Sequence, residues 1–137
     1  MFLNLLTERQ KQSFLALATK VVMADGGVNV KEHVTLNVRV AEMGGDIKAP
    51  PDEIYGDPNF DVFDTPQSQT IVLLELMVIA YSDGEYHADE RPIISQLSAH
   101  FGFAASDMER FESWAKRQSP LSVEGWKFIE AKGPLGD

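Results

Sequence analysis

Apolar residues recur at helical spacing through most of this chain, broken in the middle by a stretch rich in proline and acid. Phe14, Leu17, Ala18, Val21 and Val22 share one face of a helix. Thr7, with Gln10 three positions on, is a capping-box signal that starts this helix at Glu8. It is expected to end near Ala24, with Gly26 or Gly27 as the left-handed cap. Asn29-x-x-Glu32 opens a second helix, running to about Met43 and stopping at Gly44-Gly45. Inside it Val34, Leu36, Val38 and Val40 alternate as in a strand, which β-branched residues favour. The flanking caps and the Val34-Val38-Ala41 spacing favour a helix, and a helix is the expectation.

Residues 45–65 carry Pro50-Pro51, Gly56-Asp57-Pro58 and Asp64-Thr65-Pro66, none of which continues a helix. Ile54, Tyr55, Phe60, Val62 and Phe63 are too many large apolar groups for a free linker, so an ordered loop with a short helical turn is expected. Thr65-Pro66 then starts a helix that reaches Ser82. Ile71, Val72, Leu73, Leu74, Leu76, Met77, Val78 and Ile79 make it apolar on most sides, which marks it as the central helix. Ile93, Ile94, Leu97 and Phe101 lie on the next one, closed by Gly102, with Pro92 either moving its regular start nearer Asp89 or distorting its first turn. Ser106-x-x-Glu109 opens a further helix, Ser119-Pro120 or Ser122 a last one, and residues 133–137 form a frayed tail.

Shifting the chain by 58 residues lays Leu15 on Leu73, Asp25 on Asp83, Gly26 on Gly84, Glu32 on Glu90, Ala41 on Ala99 and Gly44 on Gly102. The matches concentrate on the joint between two helices and on the glycine that closes the second. The reading is a single all-α domain of about six helices, built from two pseudo-twofold helical hairpins. The first repeat spans 8–44, the insertion 45–65, the second repeat 66–102 and the C-terminal helices 105–132.

A formal net charge of −9 changes the picture of partners. It argues against a phosphate backbone, which needs clustered Lys and Arg, and suits a cation or a basic protein surface. The absence of cysteine removes thiolate metal sites and cysteine nucleophiles. The longest apolar run, from Ile71 to Tyr81, is interrupted by Glu75 and is too short to span a bilayer. The first eight residues lack the basic region of a signal peptide, which leaves the cytoplasm as the expected location.

Each joint puts an aspartate, Asp25 or Asp83, at the negative end of a helix and a glutamate, Glu32 or Glu90, in the first turn of the next. Four carboxylates brought together about a pseudo-dyad repel unless protons or a cation relieve them. Such hard oxygen ligands suit calcium, magnesium or manganese, and His87 adds a nitrogen that tilts the set toward manganese or zinc. Glu75, two turns before Asp83 in the central helix, either faces the same cluster or sits on that helix's one wet edge. Opposed to the metal reading, Asp-Gly is a common turn, and Glu32 and Glu90 stand where a capping box wants an acid. The spacing is not that of an EF-hand, and no nucleophile elbow, phosphate loop or HExxH is present.

Val21-Val22-Met23-Ala24-Asp25-Gly26 with Glu32, and Ile79-Ala80-Tyr81-Ser82-Asp83-Gly84-Glu85 with Glu90-Arg91, resemble the two halves of a TerB-like domain. The Phe101-Gly102-Phe103 and Ser106-Asp107 stretch fits the same likeness, which covers roughly residues 10–44 and 66–117. The family is named for bacterial tellurite resistance, and related domains occur in DnaJ-like co-chaperones. The resemblance implies an all-helical fold and a cytoplasmic, stress-linked, non-catalytic module whose acidic residues bind metal. Two departures are the Pro-rich insertion and the His87-Ala88 and Pro92 start of the second repeat's second helix. The alternatives are a co-chaperone-like protein-interaction domain without metal, and a small metal-dependent hydrolase.

Overall fold

The computed structural model describes residues 2–23, 30–81 and 91–132, with the backbone alone at 30–35, 91, 119, 120, 122, 123, 126 and 130. Every regular element among the described residues is helical. These are α1 (Glu8–Met23), α2 (Val30–Glu42), α3 (Pro51–Tyr55), α4 (Pro66–Ala80), α5 (Arg91–Phe101) and α6 (Ala105–Glu130). Two 3-10 turns, Leu3–Leu5 and Phe60–Val62, precede α1 and α4. No helix among them is long and apolar enough to cross a membrane.

The two hairpins begin and close with the same chemistry. Thr7 Oγ1 accepts from the Gln10 amide while Gln10 Oε1 accepts from the Thr7 amide, at 3.2 and 2.9 Å. Fifty-eight residues on, Thr65 Oγ1 accepts from the Ser68 amide and Ser68 Oγ from the Thr65 amide, at 3.1 and 3.2 Å. Both are reciprocal capping boxes, each satisfying two amides that a helix start leaves over. At the other end Gly44 and Gly102 take φ of 108° and 75°, a region closed to most side chains. That turn lets Gly45 N donate to Val40 O at 3.0 Å and Phe103 N donate to Ser98 O at 3.1 Å, again the same bond at the same offset.

Packing is organised around α4, which touches α1, α2, α5, α6 and the first 3-10 turn. Val72, Leu73, Leu76, Met77, Val78 and Ile79 are all fully buried. At about 1.5–3 kcal/mol for each such side chain, this helix is a major part of the hydrophobic stabilisation. The expected face of α1 is the observed one, with Phe14, Leu17, Ala18, Val21 and Val22 all buried against it. Pro92 occupies the second position of α5, where its missing N–H has no intrahelical acceptor to lose.

The insertion is ordered, as its apolar content requires, with α3 as its helical turn. Phe63 is buried and Ile54, Phe60 and Val62 are partly so, while Tyr55 stands out at 78% exposed. Polar contacts pin the segment to α1. Ser13 Oγ donates to Glu53 Oε1 at 2.7 Å and Arg9 Nη2 to Glu53 Oε2 at 2.9 Å, closing a network around a buried carboxylate. Gln10 Nε2 donates to Val62 O at 3.0 Å and Asp64 Oδ1 at 3.3 Å, so the cap of α1 also holds the lead into α4.

The C-terminal region departs from expectation. α6 is one helix of 26 residues, running through Ser119 and Pro120 where a break is predicted. Proline removes one N–H and strains one turn, but its φ is helical, so the helix continues on either side. Ser106 is likewise inside the helix; Ala104 is the N-cap residue, without a side-chain cap.

Replacing Glu53 with Ala is expected to cost about 1–3 kcal/mol, the scale of buried donors losing their acceptor. The variant should be cut between Pro51 and Asp64 under native conditions that leave the parent intact. Limited proteolysis with mass mapping reads this, and rapid cleavage of the parent at those bonds would show that the insertion is not held.

Candidate functional site

Of the joint residues, Asp25, Asp83, His87 and Glu90 lie outside the described residues. Glu32 falls in the first turn of α2, with its backbone alone described. The joints are thus bounded by helix ends. Met23 closes α1 and Val30 opens α2; Tyr81 follows α4 and Arg91 opens α5. The N-terminal ends of α1 and α4 meet through Gln10 and Asp64, so the two joint-bearing helices start side by side. Among the described residues, no three acidic or histidine side chains come together as a metal-ligand group.

Glu75 is described in full, and its place differs from the wet edge that was one reading of it. It is completely buried in the middle of α4. Its Oε2 lies 2.6 Å from Arg39 Nε of α2, and Arg39 is itself only 4% exposed. Its Oε1 accepts the Phe2 amide at 3.0 Å, which ties the segment before α1 to α4. Arg39 Nη1 also lies 3.7 Å from Glu42 Oε2, one turn further along α2. Phe2 packs its ring on Trp114 of α6, centroids 6.1 Å apart. One carboxylate therefore joins the N-terminal segment, α2 and α4, with α6 reached through Phe2.

Arg39 is the residue that reading the sequence missed. A signal existed: an acid inside an otherwise apolar central helix needs a cation, since an isolated buried carboxylate costs many kcal/mol. The repeat makes the exchange visible. At the offset of 58 the counterpart of Glu75 is Leu17 and that of Arg39 is Leu97, both buried. One hairpin carries leucine where the other carries a charge.

Two further polar pairs fasten helices at their ends. His100 Nε2 lies 2.8 Å from Asp61 Oδ1, with both side chains well exposed, and its ring packs edge-on against Phe60. It fastens α5 to the second 3-10 turn. Asp107 pairs with Arg110 in the first turn of α6, where a negative side chain is favoured by the helix dipole.

Breaking the buried pair from one side, by Glu75→Gln or Arg39→Met, is expected to cost about 3–5 kcal/mol, because the surviving group is left without its partner. The double replacement Arg39→Leu/Glu75→Leu, which copies the other hairpin, should return to within about 2 kcal/mol of the parent, the residual being the orphaned Phe2 amide. Urea denaturation of the four proteins measures this. Single variants within about 1 kcal/mol of the parent would mean that the pair behaves like an exposed one.

Comparison with known proteins adds one likeness. Residues 60–113 match the family described as tellurite resistance protein TerB. No curated protein and no solved structure matches the chain. The matched segment runs from the second 3-10 turn through α4, the second joint and α5 into α6. Over residues 60–113 the chain is similar to TerB, and the all-helical architecture of the described residues agrees with the fold of that family.

Proposed function

We propose that this protein is a non-catalytic TerB-like module that binds a divalent cation through its two acidic joints, in a bacterial stress response of the tellurite-resistance type. The observation that carries the reading is the repetition of capping box and closing glycine at one offset. It supports treating Asp25 with Glu32 and Asp83 with Glu90 as equivalent pairs in equivalent hairpins. The TerB match spans the second pair. In this reading Asp25, Glu32, Asp83 and Glu90 supply hard oxygen donors, and His87 lies close enough in sequence to add a nitrogen. Calcium, magnesium, manganese and zinc are the candidate ions. In this reading Glu75, buried beside the Arg39 guanidinium, belongs to the frame, and the ion is left to the joint residues.

A cation held only by the native state stabilises it by roughly 2.7 kcal/mol at a hundredfold excess over its dissociation constant. Thermal melting of the parent should therefore rise with one of the four metals, and Asp83→Asn should abolish the rise. Without metal the same variant should melt at or above the parent, because it removes like-charge repulsion at a helix C-terminus. A parent whose melting temperature ignores all four metals would leave the joint acids as caps and turns.

A further inference from the structure

Three features of α6 have one remedy in common. The first is at its middle. Proline at 120 has no N–H to donate to the carbonyl of Lys116, one turn back, so the helix lacks one of its own bonds there. The second is its far half, where no described residue beyond Ala115 is buried. Leu121 and Phe128 are 60% and 67% exposed, and their spacing of seven sets them on one line along the helix, with Ile129 on the flank. Gly125 lies between them on that line, and a Cβ there would meet nothing. Apolar groups this large, gathered on one face, mark a contact surface more often than a solvated one.

The third feature is a cleft along the near half. A cavity of about 580 Å³ between α5 and the start of α6 has its floor in Ile94, Phe103 and Met108. A second, of about 350 Å³, shares Glu109 and Glu112 with the first and continues it to Lys116 and Arg117. Together they follow residues 105–117 of α6, about 18 Å at 1.5 Å of rise per residue. By the same rise residues 121–130 measure about 14 Å, so the far half of the helix fits within the cleft beside the near half.

A connection of about two to five residues suffices to turn one helix back along another. Ser119-Pro120 has the residues of such a joint, a capping serine and a proline for the first helical position. With the turn made there, residues 121–130 run antiparallel to the near half. Phe128 comes level with residues 108–112, where the cleft floor is apolar, and Leu121 with the aliphatic stems of Lys116 and Arg117. We infer that α6 is hinged at Ser119-Pro120 and that its far half is a strap that folds back into the cleft between α5 and the near half. One motion then takes the proline out of a helix interior, covers Leu121 and Phe128 and fills the cleft. The occupant is the same chain because its length matches, and because a tethered segment meets its cleft at a far higher effective concentration than a free one. Closed, the strap denies the cleft to any other ligand; extended, as the helix stands in this structure, it leaves the cleft open.

The chain has no cysteine, so a pair of nitroxide labels can be placed without competing sites. Arg110→Cys and Ala131→Cys, both at exposed positions, put the labels 21 residues apart. That is about 32 Å along a continuous helix and under about 15 Å after folding back. Electron paramagnetic resonance of the labelled full chain should show a short distance beside the long one. Pro120→Ala restores the missing helix bond and Phe128→Glu spoils the apolar anchor, so each, added to the labelled pair, should leave the long distance alone. Circular dichroism melts confirm that the variants fold, and Leu121→Lys replaces Phe128→Glu if that one does not. A labelled parent with only the long distance overturns the inference, as does a short distance that persists in either variant. So does a short distance that is lost when the labelled protein is diluted with unlabelled chain, since the contact would then join two copies.

Discussion

A carboxylate at the centre of the most buried helix is the constraint that the surrounding structure answers. Glu75 has no access to water, so its charge must be met inside the protein. Arg39 brings α2 against α4 to do so, and the Phe2 amide brings in the N-terminal segment. With Phe2 held, Leu3 and Leu6 bury themselves and the Phe2 ring reaches Trp114 of α6. Elements far apart in the chain are thereby fixed around one side chain.

The repeat makes this constraint asymmetric. Capping threonines, closing glycines and the hydrogen bonds across them recur at an offset of 58, yet Glu75 and Arg39 face Leu17 and Leu97 in the counterpart positions. Burial is kept at all four sites while polarity is not. Two hairpins with identical cores could exchange places in a pseudo-symmetric domain. The ion pair between α2 and α4 favours one arrangement, because the exchanged one would set each charge against leucine. The insertion adds a second asymmetry: Glu53, Ser13 and Arg9 hold its α3 turn to α1.

Much of this was legible beforehand, for identifiable reasons. Thr7 with Gln10, the five-residue apolar face of α1 and the apolar girth of α4 are local signals, and local hydrogen bonding and periodicity suffice to read them. Val34 to Val40 alternate like a strand, yet the segment is helical. Three things were not local. The partner of Glu75 lies 36 residues away in sequence, and only the packing of α2 on α4 selects Arg39. Glu53 reads as a helix-start acid until α1 offers it Ser13 and Arg9. Ser119-Pro120 carries the signature of a helix start, but the helix already under way from Ala105 absorbs it. The joint residues Asp25, Asp83, His87 and Glu90 fall outside the described residues, so the reading of them rests on the repeat and on the TerB likeness.

The frame that carries the joints depends on Glu75 holding the N-terminal segment and α2 as one unit with α4. The amide proton of Phe2 reports on this directly, since it is donated to Glu75 in a segment that would otherwise fray. Native-state hydrogen exchange should find it protected to the same free energy as the amides of the α4 core, opening only when the whole domain unfolds. Exchange of Phe2 at the rate of an unstructured amide, with α4 still protected, would contradict the account, because the segment would then be a passive tail and Glu75 would be held by Arg39 without it.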